Sequence, residues 1–113
     1  MATQEYLYEA PPGFFLSKGE VGMNKCFHIY YSGSVQGVGF RYMAQSVANS
    51  LDIAGWVKNL RDGRVEMVCE GKEPDLNEFL DRLRDIFGLY IKDIQTEQED
   101  SSGKLEGFDI KFL

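Results

Sequence analysis

From Gly33 to Arg41 the chain reads Gly-Ser-Val-Gln-Gly-Val-Gly-Phe-Arg, a run of glycines ending on a cation. The residues before it alternate in polarity and those after it recur at helical spacing, so the segment is predicted to leave a strand, turn and enter a helix. Such a turn can aim consecutive backbone N–H groups into one concavity, and the positive end of the helix dipole adds to the attraction for an anion. The chemistry it could serve is phosphate binding. Arg41, in the first helical turn, offers a planar fork of donors to two phosphate oxygens, which a lysine ammonium does not reproduce. The pattern is not the P-loop, which requires Lys followed by Ser or Thr. On its glycines alone it also describes a plain tight connection beside an exposed arginine.

A second segment narrows the choice. Gly55-Trp56-Val57-Lys58-Asn59 is followed by Leu60, Arg61, Asp62, Gly63, Arg64 and Val65, with Gly71 further on. In order and length the two segments resemble the acylphosphatase family, whose motifs read Gly-x-Val-Gln-Gly-Val-x-Phe-Arg and Gly-Trp-Val-x-Asn-x-x-x-Gly-x-Val with a later glycine. The resemblance spans about residues 25 to 113. It implies hydrolysis of the carboxyl-phosphate bond of acyl phosphates to a carboxylate and inorganic phosphate, without metal or cofactor. It further implies two catalytic residues, Arg41 binding the phosphate and Asn59 positioning the attacking water. The loop Ser34, Val35, Gln36, Gly37, Val38 and Gly39 would then present its N–H groups to the phosphate. Two positions depart from the family: Ser34 stands where many members carry a basic residue, and Tyr31 replaces an aliphatic one.

The residue economy is physically reasonable. A carboxylate is a good leaving group, so cleavage needs little general-acid help and depends mainly on holding charge at the phosphoryl oxygens. An amide such as Asn59 accepts no proton at neutral pH, but it can fix a water in line with the scissile bond. Direct attack by water on phosphorus, with no phospho-enzyme, is the expected route. Similar domains occur inside larger hydrogenase-maturation proteins, so a non-hydrolytic phosphate- or carbamoyl-phosphate-binding module is the alternative.

The elements that must position these residues can be read from periodicity. Residues 25–33 alternate as a strand, with Phe27, Ile29 and Tyr31 opposed to Cys26, His28 and Tyr30. A helix over about 41–51 carries Phe40, Ala44, Val47, Ala48 and Leu51 on one side. Residues 53–60 and 64–70 form a hairpin turning at Arg61, Asp62 and Gly63. Pro74 opens a second helix that presents Leu76, Phe79, Leu80, Leu83, Ile86 and Phe87 and is capped by Gly88. A strand over 90–96, a loop over 98–107 and a short last strand carrying Phe108, Ile110 and Phe112 complete the chain. The expected fold is α+β, a ferredoxin-like split βαβ sandwich with two helices on one face of an antiparallel sheet. Residues 1–24, punctuated by prolines and glycines, read as a flexible N-terminal extension to a single domain over 25–113. In that extension Phe14, Phe15 and Leu16 form a short apolar cluster.

Composition closes several alternatives. The chain has 113 residues and a net charge of −6, which repels polyanions, and its arginines are interleaved with acids, as at Arg82 and Arg84 beside Asp81 and Asp85. No nucleic-acid partner is expected, and Trp56 with the tyrosines lacks the aromatic signature of RNA-binding domains. No apolar run approaches the ~18 residues needed to cross a bilayer, and no signal peptide is evident, so a cytoplasmic monomer acting on small acyl phosphates is expected. Cys26 and Cys69 should face opposite sides of the sheet, too far apart in direction for a disulfide and poorly placed for nucleophilic catalysis. His28, the only histidine, is expected at the surface of its strand without metal ligands around it. Glu66, Glu70 and Glu73 read as a solvated edge.

Overall fold

The computed structural model of the protein describes residues 24–112. In chain order it contains β1 (Asn24–Gly33), α1 (Phe40–Ser50), β2 (Ala54–Asn59), β3 (Val65–Lys72), α2 (Glu73–Phe87), a 3-10 turn (Gly88–Tyr90), β4 (Ile91–Glu99) and β5 (Phe108–Lys111). The sheet order is β4-β1-β3-β2-β5. This is the expected α+β sandwich, with the helices covering one sheet face. Three strand pairs are antiparallel, whereas β5 joins the β2 edge in parallel, so the completed sheet is mixed. The parallel pairing follows from the route of residues 100–107, which return β5 to the end where β2 begins. There the Gly55 amide donates to the Gly107 carbonyl at 2.8 Å.

Both helices are held by the apolar stripes that their spacing predicts. Phe40, Ala44, Val47 and Ala48 of α1 and Leu76, Phe79, Leu80, Leu83 and Phe87 of α2 are buried. They close on Ile29, Tyr31, Val57, Val65, Met67 and Cys69 from one face of the strands. Fully burying one such large side chain contributes roughly 1.5–3 kcal/mol. Pro74 lies in the first turn of α2 beside Glu73 and Asp75, where acids complement the dipole. Two expectations for α2 are corrected. Ile86 is 45% exposed, and Gly88 has right-handed φ −54 and ψ −35. Instead of a left-handed cap, the chain tightens into the 3-10 turn, which delivers the Tyr90 carbonyl to the Ser34 amide at 2.8 Å. The strand expected over 90–96 continues to Glu99 because it keeps pairing with β1 as far as Cys26. The expected N-terminal extension lies outside the described residues, except for Asn24, which opens β1.

The open sheet face carries Cys26, His28 and Tyr30, as alternation requires, but it is not bare. His28 Nε2 lies 2.7 Å from Glu66 Oε2 and Nδ1 lies 3.1 Å from Glu99 Oε2. Tyr30 donates its hydroxyl to Glu66 at 3.1 Å and stacks on the imidazole at a centroid distance of 5.0 Å. Glu70, expected in solvent, is buried, and its Oε2 accepts from Ser101 Oγ and from the Gly103 amide. The cause is topological: β3 lies between β1 and β2, and the residues after β4 fold over its end. Cys26 and Cys69 are free thiols, and Cys69 alone belongs to the helix-side core. Burial, followed by the charges of Glu70 and Glu99, raises the Cys26 thiol to about 11. Burial also raises Cys69. Neither sulfur is an activated nucleophile.

Partial burial acts to lower the His28 pKa, but the hydrogen bonds and charges of Glu66 and Glu99 outweigh it and raise the value above 6.5. Both ring nitrogens can donate to carboxylates only in the imidazolium form. A folded-state pKa above the unfolded value stabilises the protein fully below about pH 6.5, and the contribution is lost as pH rises through the folded pKa. Urea midpoints for the wild type and His28→Gln should therefore differ most near pH 5.5 and converge at alkaline pH. The expected gap is on the order of 1 kcal/mol or less, because the cluster is partly solvated. A gap that widened with pH would contradict this assignment.

Candidate active site

The site begins where β1 ends. A register shift at Ser32/Gly33 lifts the chain out of the ladder with β4. Gly33 has φ +125, and a Cβ there would lie 2.3 Å from the Tyr90 carbonyl oxygen, so the strand crossing admits no side chain. Val35, fully buried, then plugs the following loop into the core. Gln36 reaches across to the neighbouring hairpin, donating from Nε2 to the Leu60 carbonyl at 2.7 Å and to the Arg64 carbonyl at 3.0 Å. Gly39, at φ +86 and ψ 14, forms the left-handed N-cap of α1 without a side-chain cap. The Met43 amide closes the first helical bond onto the Gly39 carbonyl at 3.0 Å. The amides of Phe40, Arg41 and Tyr42 precede that bond and are the first-turn donors that a helix leaves without an intrahelical partner.

Asn59 arrives from the other side as the last residue of β2, paired with Val65 of β3. The turn behind it is tightly held. Leu60 N donates to the Arg64 carbonyl at 2.8 Å, Gly63 N donates to the Leu60 carbonyl at 3.2 Å, and Asp62 accepts from both the amide and the Nε of Arg64. The Arg64 amide, with smaller contributions from its guanidinium, holds the Asp62 carboxyl below its usual range. Asn59 is thus fixed by a strand pair, a closed turn and the Gln36 brace.

These segments enclose a hollow of about 160 Å³ lined by Val35, Gly37, Gly39, Phe40, Arg41, Tyr42 and Asn59. Arg41 and Asn59 both line it, although they come from different elements. Of the loop residues singled out from the sequence, Val35, Gly37 and Gly39 line the hollow, whereas Ser34, Gln36 and Val38 do not. The Ser34 amide is committed to the Tyr90 carbonyl, the Gln36 side chain braces the hairpin, and Val38 packs against the core. Sequence reasoning missed Phe40 and Tyr42 as lining residues and the bracing role of Gln36. Gln36 carried a signal, since a long amide just before Gly37 in a tight turn can reach carbonyls of a neighbouring segment.

The segments that build the hollow lie within a stretch of the chain that is similar to known proteins. Residues 27–110 match the family model Acylphosphatase. The chain is 40% identical over 82 residues to an acylphosphatase of Bacillus velezensis, covering 73% of this chain and 89% of that one. The chain belongs to the acylphosphatase family. An acylphosphatase of Archaeoglobus fulgidus is 43% identical over 79 residues, covering 65% of this chain and 89% of its own. The crystal structure of the Bacillus subtilis acylphosphatase superposes with a TM-score of 0.70 at 36% identity, covering 77% of this chain and 98% of that one. Full-length HypF in its phosphate- and nucleotide-bound form also superposes, with a TM-score of 0.70 at 26% identity, covering 83% of this chain but 12% of that one. Arg41, Asn59 and every other lining residue fall inside the span that the acylphosphatase model matches.

Proposed function

We propose that this acylphosphatase cleaves acyl phosphates by direct attack of water on phosphorus, with Arg41 holding the phosphoryl oxygens and Asn59 orienting the water. The observation that supports the reading is one small hollow lined by both Arg41 and Asn59 together with the first turn of α1. Phosphate oxygens in the hollow would meet the Arg41 fork, the Gly37 and Gly39 stretch of the loop and the positive helix end. Charge that grows on those oxygens in the transition state meets donors already in place, which need no reorganisation. The Asn59 carboxamide orients the water by hydrogen bonding alone, its oxygen accepting from a water O–H or its NH2 donating to the water oxygen, and takes up no proton. The bond from phosphorus to the bridging oxygen breaks, the carboxylate leaves with the electron pair, and the water protons end on phosphate and in solvent.

No metal is needed on this route, because the guanidinium and amides supply the counter-charge. Among the described residues no three His, Cys, Asp or Glu side chains group as a metal site, and no helix is long and apolar enough to cross a membrane. With small acyl phosphates and inorganic phosphate as its ligands, the protein is proposed to act in the cytoplasm as a monomer, without a nucleic-acid partner.

Hydrolysis of acetyl phosphate in ¹⁸O-labelled water tests the route. Attack at phosphorus puts the label in inorganic phosphate and none in acetate, and a chelator should leave the rate unchanged. Label in the carboxylate would place the attack at carbon and end the proposal. The likeness to part of HypF keeps a binding-only module as the second reading. Carbamoyl phosphate bound without phosphate release would favour it.

A further inference from the structure

Two aromatic rings that the fold leaves in water flank Arg41, and one of them belongs to Tyr42, which lines the hollow. Tyr42, in the first turn of α1, is 61% exposed, and Phe112, immediately after β5, is 69% exposed. Neither belongs to the core, and the apolar face of α1 is already completed by Phe40, Ala44, Val47 and Ala48. Yet both rings gather at one point. The Arg41 guanidinium carbon lies 5.9 Å from the Tyr42 ring centroid and 5.2 Å from that of Phe112. Cation–π attraction at these distances holds the rings beside the guanidinium while leaving most of their surface open.

The chemistry of the substrate says what passes over them. In an acyl phosphate the carbonyl carbon is joined to phosphorus through one bridging oxygen, so a phosphoryl group seated on Arg41 fixes the acyl carbon within a few bond lengths of that side chain. A hollow of about 160 Å³ that opens to solvent can seat the phosphoryl group against Arg41. An extended acyl group then has to leave the hollow past the side chains that flank Arg41. Exposed aromatic surface beside a polar hollow is the usual form of a wall for an apolar substituent.

We propose that Tyr42 and Phe112 form an acyl-group wall, so that this enzyme favours acyl phosphates with aromatic or extended apolar acyl groups over acetyl or carbamoyl phosphate. The inference rests on the reading of Arg41 as the phosphate ligand. It assigns the two rings a part in substrate discrimination and none in the bond-breaking step. Because the wall is open on its solvent side, the preference it creates is modest, about 3- to 10-fold per ring, the scale of a single aromatic contact.

The test compares kcat/KM for benzoyl and acetyl phosphate in the wild type, Tyr42→Ala, Phe112→Ala, the double variant, and Tyr42→Phe. Each alanine variant should lower the benzoyl-to-acetyl ratio by about 3- to 10-fold, mainly through a higher KM for benzoyl phosphate. The double variant should lower it further, and Tyr42→Phe should retain the wild-type ratio. An unchanged ratio in an active double variant would overturn the wall. Equal losses on both substrates would also overturn it, since the rings would then only be supporting Arg41. Arg41→Ala separates the two levels of the argument: it should depress both substrates together, and full activity of that variant would remove the phosphate-ligand reading itself.

Discussion

Arg41→Ala is expected to lower kcat/KM for acetyl and benzoyl phosphate by ~100- to 1,000-fold while the protein stays folded. The magnitude follows from removing a preorganised charge contact from a site where the developing negative charge has few other partners, a loss worth about 2.7–4 kcal/mol. Stability should change little, because Arg41 contributes mainly the ring contacts with Tyr42 and Phe112, and exposed contacts of that kind are worth ~0.5–1 kcal/mol. Arg41→Lys should recover only a small part of the activity, since an ammonium keeps the charge but not the bidentate fork. Steady-state kinetics with a urea melt on each variant checks both halves. Since the guanidinium holds the phosphoryl group in both ground and transition states, KM should rise together with the fall in kcat.

Asn59→Ala should also lose at least ~100-fold, but almost wholly in kcat. The carboxamide is assigned to the water and not to the phosphate, so substrate binding should survive its removal. The strand pair with Val65 and the closed turn behind it involve the backbone and other side chains, and the variant should keep its fold. Asn59→Asp is a sharper probe. A carboxylate of nearly the same shape can still hold a water, yet it confronts the phosphoryl oxygens with a like charge in a small hollow. It should therefore be no better than the alanine variant, and KM should now rise. Turnover near the wild-type level in either variant would remove Asn59 from the mechanism.

Much of this was legible in the residues because local and global signals agree. The alternation of Phe27, Ile29 and Tyr31 and the stripe Leu76, Phe79, Leu80 and Leu83 each point to one face, and those faces meet in one core. The candidate site left a signal of a different kind: Gly37 and Gly39 adopt the left-handed backbone that glycines in a tight turn before a helix suggest. What escaped depends on neighbours that no local pattern contains. Glu70 looks solvated within its own strand, and its burial comes from Ser101 and Gly103, far along the chain. Gly88 looks like a cap until the need to meet Ser34 turns it right-handed. The direction of β5 depends on the path of residues 100–107, which carry no periodicity. In the same way Ser34 belongs to the glycine loop by sequence, while the Tyr90 carbonyl of the 3-10 turn has already claimed its amide.

The most direct test of the central claim is a titration of the full chain with inorganic phosphate, followed by amide ¹H–¹⁵N chemical shifts. The account predicts saturable shifts centred on Gly37, Gly39, Phe40, Arg41 and Tyr42 and on the Asn59 side-chain amide, with Ser34 moving less. Shifts that bypass this group, in a sample that still hydrolyses acetyl phosphate, would contradict it.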